Sequence, residues 1–194
     1  MRNCLVIDLD RCTGCDSCVA ACKHENNVSL GIYWNRVNVV GPSGEWPRIE
    51  GYWLPTQCQQ CENAACEAAC PTGATYRDEK YGLILIDKEK CIGCQSCIEA
   101  CPFGARTYNE ELNIVEKCTC CVQRLDAGEK PACVHNCCTG ARLFGDLDDP
   151  ESDVAKAIAA AGEENIHWLP DAYGASPRTC YILHASTATW KELA

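Results

Sequence analysis

The sequence has few of the side chains that normally fill a hydrophobic core. Its 194 residues include only two Phe and one Met, and its apolar fraction of 47% counts 20 Cys. A chain this rich in Cys is held together by something besides a core, and disulfides, zinc and iron–sulfur clusters are the candidates. The cysteines are therefore the first feature to interpret.

The sequence also lacks a long apolar run, a basic face and a recognisable catalytic motif. No segment approaches the roughly 20 apolar residues that cross a bilayer, and the N-terminus, MRNCLVIDLDRC, does not resemble an ordinary signal peptide. A soluble or peripheral protein with no direct membrane span is expected. The net charge of −10 argues against nucleic-acid partners. There is no GxGxxG, P-loop or paired carboxylate motif, so no catalytic residue is predicted.

Two internal repeats organise the cysteines into four blocks. CLVIDLDRCTGCDSCVAAC at 4–22 matches LILIDKEKCIGCQSCIEAC at 83–101 in nine of nineteen positions, and ACEAACPTGA at 65–74 matches ACVHNCCTGA at 132–141. The blocks are Cys12/Cys15/Cys18/Cys22, Cys58/Cys61/Cys66/Cys70, Cys91/Cys94/Cys97/Cys101 and Cys118/Cys121/Cys133/Cys137.

The spacing of these blocks indicates iron–sulfur clusters. The third block reads C-x2-C-x2-C-x3-C followed by Pro, the run that binds [4Fe–4S] clusters in bacterial ferredoxins. Three closely spaced thiolates bind three irons of one cubane, and the fourth serves a second cluster. Zinc instead takes two C-x2-C pairs around one ion. A disulfide framework requires a secreted context, although export with a signal-bearing partner stays open.

Four cysteines lie outside this pattern. Cys120 lies between two predicted ligands, and Cys138 occupies the position where blocks two and three have Pro. Each of these two is either a substitute ligand or a small thiol without a ligand role. Cys4 and Cys180 are predicted to be structural.

The remaining sequence predicts short elements around the blocks. Strands are expected at CLVIDLD, GLILID and GARLFGDL, and a hairpin is expected through Arg77 to Gly82. A helix is expected from about 148 to 162, with Asp148 or Asp149 as its cap, Pro150 in its first turn and Gly162 at its end. The stretch 165–194 is predicted to be irregular. The aromatic residues of 23–57 either cover the cluster core or form a docking surface.

The four blocks in this order resemble the iron–sulfur electron-transfer (beta) subunits of the dimethyl-sulfoxide-reductase superfamily of molybdopterin oxidoreductases. The resemblance extends from Cys4 to Asp153 and includes CENAACEAACPTGA, EKCIGCQSCIEACPFGAR, KCTCCVQRLDAGEKPACVHNC and GDLDDP. The chain departs from the family pattern at Cys138, where Pro is usual. Relatives of this type serve polysulfide, thiosulfate, dimethyl sulfoxide and arsenate reductases, and transhydroxylase or catechol dehydroxylase enzymes.

The resemblance implies an α+β fold of two fused bacterial-ferredoxin-like halves with a low content of regular structure. It implies four [4Fe–4S] clusters, with the first block paired with the fourth and the second with the third. One pair of clusters would take Cys12, Cys15, Cys18 and Cys137, and Cys118, Cys121, Cys133 and Cys22. The other pair would take Cys58, Cys61, Cys66 and Cys101, and Cys91, Cys94, Cys97 and Cys70.

The implied organisation has four parts. Residues 1–22 and 115–147 would form an outer half, and 58–114 an inner half. Residues 23–57 would be an aromatic insertion, and 148–194 a C-terminal helix and docking tail.

The implied function is electron transfer without a catalytic site of its own. The clusters would relay electrons between a redox partner and a large molybdopterin subunit containing Mo or W, in a hetero-oligomeric complex of anaerobic respiration. A membrane anchor subunit or a soluble electron donor would be the further partner, and family analogy favours the exoplasmic face over the cytoplasm. The alternative is a free-standing soluble polyferredoxin.

Overall fold

The computed structural model describes residues 2–171 and 173–191 and is built from short elements joined by loops. The strands are β1 Asn3–Asp8, β2 Asn35–Glu45, β3 Arg48–Gln57, β4 Thr75–Arg77, β5 Ile84–Ile86, β6 Arg106–Asn109, β7 Ile114–Lys117, β8 Arg142–Asp146, β9 Ile166–His167 and β10 Cys180–Ile182. The helices are α1 Ser17–Glu25, α2 Ala65–Ala68, α3 Ser96–Glu99, α4 Val122–Asp126, α5 Ala132–His135 and α6 Asp153–Ala161, and a 3-10 turn spans Glu163–Asn165.

A four-stranded sheet in the order β8-β1-β10-β9 forms the main core. Strand β1 pairs antiparallel with β8 and parallel with β10, with Val6 opposite both Leu143 and Cys180. The apolar run of β1 is buried on both faces, as expected for a central strand. Helix α6 covers one face through Val154, whose complete burial contributes about 1.5–3 kcal/mol.

Three two-stranded hairpins complete the sheet structure: β2–β3, β4–β5 and β6–β7. The strands predicted at CLVIDLD, GLILID and GARLFGDL are confirmed as β1, β5 and β8, and the predicted turn after Arg77 connects β4 to β5. The long β2–β3 hairpin was not predicted. In it Trp34 and Tyr52 are buried, whereas Trp46 is 86% exposed, so the aromatic residues of this segment do not all face one environment.

The predicted cap of the last helix is wrong. Helix α6 is capped by Ser152, whose Oγ accepts a hydrogen bond from the Ala155 N–H at 3.2 Å. Asp149 instead accepts from the backbone of Glu151, and Asp148 forms a salt bridge with Arg2, so both carboxylates serve the preceding loop. Pro150 also lies before the helix and not in its first turn. Gly162 ends the helix at φ 82°, as predicted.

The described part of 165–194 is mostly irregular, as predicted, but it also contains two short strands. Strands β9 and β10 join the main sheet. The Trp190 ring stacks on His167 with the ring centroids 4.8 Å apart, and the Tyr52 hydroxyl donates to the Lys191 carbonyl. This segment therefore folds onto its own chain. Residues 192–194 lie outside the described part. None of the helices in the described part is long and apolar enough to cross a bilayer.

Candidate functional site

The four C-x2-C loops share one backbone bend. The residue just before the second Cys of each loop has a positive φ, namely Gly14 (65°), Gln60 (50°), Gly93 (70°) and Cys120 (53°). This left-handed conformation is strained for residues other than Gly. At Gly93 an added Cβ would also meet the Asn113 carbonyl oxygen at 2.6 Å. The bend brings the two thiols of each loop around to the same side.

Seventeen of the cysteines line four separate cavities, and in each cavity three predicted ligands from one block meet one from another. We name the cavities after one ligand of each. The Cys12 cavity is lined by Cys12, Cys15, Cys18 and Cys137, and the Cys118 cavity by Cys22, Cys118, Cys121, Cys133 and also Cys120. The Cys58 cavity is lined by Cys58, Cys61, Cys66 and Cys101, and the Cys91 cavity by Cys70, Cys91, Cys94 and Cys97.

The four cavities are similar in size. Each encloses about 300 to 350 Å³ between the protein atoms, part of it open to solvent. Within the described residues, no three His, Cys, Asp or Glu side chains gather closely enough to hold a single metal ion. The thiols of each quartet surround a volume, which is how a cubane is held. All 20 cysteines are free of disulfide bonds.

Short helices carry several cysteines of the quartets. Cys18 and Cys22 lie four residues apart on α1, a rise of about 6 Å. They therefore reach two different cavities, the Cys12 cavity and the Cys118 cavity. Helix α1 packs against α5, which carries Cys133, and α2 packs against α3, which carries Cys97.

N–H groups point at several of these sulfurs. The backbone N–H of Ala141 donates to Cys137 Sγ at 3.2 Å, and that of Thr75 donates to Cys70 Sγ at 3.4 Å. Burial raises the pKa of Cys70, but the N–H groups of Thr75 and the Thr72 hydroxyl outweigh it and lower this pKa to about 7. Such donors stabilise thiolates, the form that binds iron.

Burial acts in the opposite direction at other thiols. It raises the pKa of Cys61 to about 12, and the neighbouring thiols Cys58 and Cys66 add to this effect. Burial likewise raises the pKa of Cys133 to about 12. Bringing four thiolates together is therefore unfavourable without a cation, and bound iron removes this cost because it deprotonates its thiol ligands outright. The all-sulfur donor set fits an iron–sulfur cluster.

A buried cation lies between each pair of neighbouring cavities. Arg142, 2% exposed, lines both the Cys12 and the Cys118 cavity. Lys117 Nζ donates to the carbonyls of Cys118 and of Ile84, a residue that lines the Cys58 cavity. Arg106 lines the Cys58 cavity and donates to Thr75, which lines the Cys91 cavity. The cavities thus follow the order Cys12, Cys118, Cys58, Cys91.

These three cations are not paired with carboxylates. Within the described ranges none of them forms a salt bridge. Arg106 Nη2 donates to Cys66 Sγ at 2.9 Å. Burial alone would lower the pKa of Arg106, but the charges of Cys66, Cys97 and Cys58 outweigh it and raise that pKa. A buried cation requires a nearby anion, and the quartets supply it.

The two terminal cavities of this order contain the exposed ligands. Cys15 in the Cys12 cavity and Cys94 in the Cys91 cavity are exposed, whereas Cys118, Cys121 and Cys133 in the Cys118 cavity are buried. Electrons can therefore reach the surface most directly at the two terminal cavities.

The extra cysteines take different positions. Cys120 is 1% exposed and lines the Cys118 cavity, where Gln60 Nε2 donates to its sulfur at 3.5 Å. Cys138 is exposed and does not line the Cys12 cavity, although its sulfur lies 3.6 Å from Cys15 Sγ. Cys4 and Cys180 pack in the core beside α6.

Sequence reasoning missed the three buried cations. A signal for two of them existed, because Gly-Ala-Arg follows the last Cys of blocks three and four at Gly104-Ala105-Arg106 and Gly140-Ala141-Arg142. Lys117 had no such signal, since its position in β7 resembles that of an ordinary surface lysine.

Comparison with known proteins identifies the same cofactor. Two models of a 4Fe-4S dicluster domain match the chain, at residues 49–147 and 4–71. The chain is 45% identical to a putative dimethyl sulfoxide reductase iron–sulfur subunit of Halobacterium salinarum, over 92% of this chain and 78% of that protein. It is 38% identical to a tetrathionate reductase subunit of Salmonella typhimurium, over 93% and 72%. It is 35% identical to an arsenate respiratory reductase iron–sulfur subunit of Shewanella sp., over 94% and 96%.

These relatives confirm the cofactor and the role predicted from the sequence. The chain carries four [4Fe–4S] clusters, two for each dicluster domain. It is a non-catalytic electron-transfer subunit of a reductase complex. The chain belongs to the 4Fe–4S dicluster family, among the iron–sulfur electron-transfer subunits of the dimethyl-sulfoxide-reductase superfamily.

Proposed function

We propose that each of the four cysteine quartets ligates one cluster, and that the chain connects a redox partner to a molybdopterin catalytic subunit containing Mo or W. The observation that carries this proposal is the four cavities, each lined by one of the four ligand sets implied by the family resemblance. Cys120 is the additional thiol in the Cys118 cavity and has no ligand role in this assignment.

When bound, each [4Fe–4S] cluster supplies a one-electron redox couple. The protein holds the four clusters in the order of the cavities, from Cys12 through Cys118 and Cys58 to Cys91. Arg142, Lys117 and Arg106 stand at the three junctions between neighbouring cavities, where a positive charge favours the arrival of an electron on either side. The ligands of the Cys118 cavity are buried, and the exposed Cys15 and Cys94 give each partner separate access.

The finer architecture in this proposal is two bacterial-ferredoxin-like halves. In the outer half, 1–22 with 115–147, β1 pairs with β8 and α1 packs against α5. In the inner half, 58–114, β4 pairs with β5 and α2 packs against α3. Residues 23–57 form the insertion between them. The tail at 148–194 contributes to docking through the exposed Trp168 and Tyr173.

The molybdopterin partner is supported by the names of the relatives, which are subunits of dimethyl sulfoxide, tetrathionate and arsenate reductases. Family analogy also favours the exoplasmic face, reached by export with a signal-bearing partner. A membrane anchor subunit or a soluble donor supplies or removes the electrons at the other end of the relay.

The test is an anaerobic pull-down on this chain from its native host, followed by metal analysis of the complex. About 16 Fe per chain, with about one Mo or W in a large co-purifying subunit, is the expected result. Full iron without Mo, W or a large partner would support a free-standing polyferredoxin instead.

Two variants test the ligand assignment. Cys97→Ser should lower the iron content by one cluster, about 4 Fe, because Cys97 lines the Cys91 cavity. Cys180→Ser is the matched control, since Cys180 is equally buried but packs in the core away from the cavities. Equal iron loss in both variants would contradict the assignment.

A further inference from the structure

Three buried side-chain nitrogens in one wall of the Cys118 cavity carry N–H groups that have no acceptor. They are the indole Nε1 of Trp34 and the side-chain amide nitrogens of Asn35 and Gln57, on residues that are 6%, 3% and 4% exposed. No other buried side-chain N–H in the described part of the chain lacks a partner, and all three residues line the Cys118 cavity.

The hairpin and a buried arginine fix the direction of these donors. Asn35 and Gln57 face each other at the base of the β2–β3 hairpin. Arg142 donates to Asn35 Oδ1 at 2.8 Å and to Gln57 Oε1 at 3.4 Å. Because a guanidinium only donates, both amide oxygens must face Arg142, and the amide orientation is not ambiguous. The NH₂ groups are then left on the side away from the guanidinium.

An unpaired buried N–H is unfavourable, so three of them in one wall indicate acceptors inside the cavity. The quartet sulfurs and the inorganic sulfides of a cluster are acceptors of this kind, and hydrogen bonds to sulfur are one of the protein's means of setting a cluster potential. Asn26 Nδ2, which already donates to Cys121 Sγ at 3.5 Å, adds a fourth side-chain donor.

We infer that the cluster in the Cys118 cavity has the highest reduction potential of the four, set by the N–H groups of Trp34, Asn35 and Gln57 together with Arg142. This inference rests on the proposed ligand assignment. Reduction adds a negative charge to the cluster, and fixed donors and a fixed cation stabilise that charge.

Burial opposes this effect, because a low dielectric disfavours added charge. The same low dielectric strengthens every donor that already points at the sulfur. The Cys58 cavity is the useful comparison, since it is also interior and also has a cation on each side. None of its described lining residues carries an unpartnered buried N–H. The donors therefore distinguish the two interior cavities.

The functional consequence is that the first electron to enter the relay resides in the Cys118 cavity, whichever end it enters. That cavity is second in the order of the four, so this electron is held one step from the exposed Cys15.

The test is an anaerobic redox titration of the fully loaded chain, followed by electron paramagnetic resonance. Trp34→Phe removes one N–H and keeps an aromatic ring. Gln57→Glu keeps the oxygen that faces Arg142 and replaces the donor by an acceptor. Each variant should lower the equilibrium constant for reduction of the first-reduced cluster about tenfold. This corresponds to a decrease of about 59 mV in the midpoint potential of a one-electron couple. The other three midpoints should be unchanged.

Trp190→Phe is the matched control, because Trp190 stacks on His167 and Tyr52 away from the cavities. The inference is overturned if Trp34→Phe and Gln57→Glu leave the first-reduced cluster unchanged, or if they shift a later reduction step. A loss of iron in Trp34→Phe would leave Gln57→Glu as the deciding variant. The proposed function fails by different results, namely fewer than four clusters in the wild-type chain or no association with a catalytic subunit.

Discussion

Replacing Arg106 with glutamine should lower the reduction potential most at the cluster in the Cys58 cavity. Arg106 is 5% exposed and donates to Cys66 Sγ at 2.9 Å. Its charge forms no salt bridge among the described residues, so it acts on the quartet without neutralisation by a carboxylate. Removing it should make the more negative, reduced cluster less stable.

The magnitude follows from Coulomb's law. Two unit charges roughly 6 Å apart at an effective dielectric constant of about 20 interact by about 2.8 kcal/mol. Since 1.36 kcal/mol is a tenfold change, or about 59 mV for a one-electron couple, the full effect is about 120 mV. Water entering the space left by the guanidinium reduces it, so a decrease of about 60–120 mV is expected.

The assay is an anaerobic redox titration followed by electron paramagnetic resonance, on chains that all contain four clusters. Arg106→Lys keeps the charge and should restore most of the potential. Arg178→Gln is the control, because the Arg178 side chain is 8% exposed but is paired with Glu62 at 2.7 Å. An unchanged midpoint in Arg106→Gln, an increase, or an equal decrease in Arg178→Gln would refute the reasoning.

Three further predictions concern other parts of the chain. Cys138→Ser should keep about 16 Fe, because this exposed cysteine does not line a cavity; a loss of about 4 Fe on metal analysis would make it a ligand. Ser152→Ala should destabilise the chain by about 1 kcal/mol, since it removes the oxygen that accepts from the Ala155 N–H. The midpoint temperature of thermal unfolding should fall by roughly 2–4 °C. The hydrogen bond to Asp10 raises the pKa of His184, so its contribution to stability is present below about pH 6.5 and is lost as the pH rises through the raised value. Hydrogen exchange at the His184 amide should therefore speed up with pH beyond the ordinary chemical trend, and His184→Gln should abolish this extra dependence.

The cysteine spacing predicted the four C-x2-C loops because each loop is a local feature of the sequence. Each C-x2-C loop positions its thiols by the same backbone bend, and the repeats at 4–22 and 83–101 placed the flanking strands β1 and β5. The quartets themselves could not be worked out from spacing, since they bring together segments as distant as Cys18 and Cys137. Family resemblance supplied that pairing.

The polar surroundings of the cavities were not predictable in the same way. Asn35 and Gln57 meet only because β2 and β3 pair in one particular register, and that register has no short-range signature in the sequence. The two short strands of the tail were not predicted for a related reason. The strand β10 is three residues long and forms only against the preformed edge of β1, so its own propensity is a weak guide.

The exchange of ligands between distant blocks makes the clusters act as cross-links. In the proposed assignment, a cluster in the Cys12 cavity joins Cys18 to Cys137, whereas one in the Cys58 cavity joins Cys66 to Cys101. Closing the longer loop costs about 1 kcal/mol more chain entropy, and the inner loop needs only the first 101 residues of the chain. The clusters of the Cys58 and Cys91 cavities can therefore be completed before the ligands of block four are synthesised. The clusters of the Cys12 and Cys118 cavities then tie the N-terminal block to the C-terminal half, in addition to the pairing of β1 with β8 and β10.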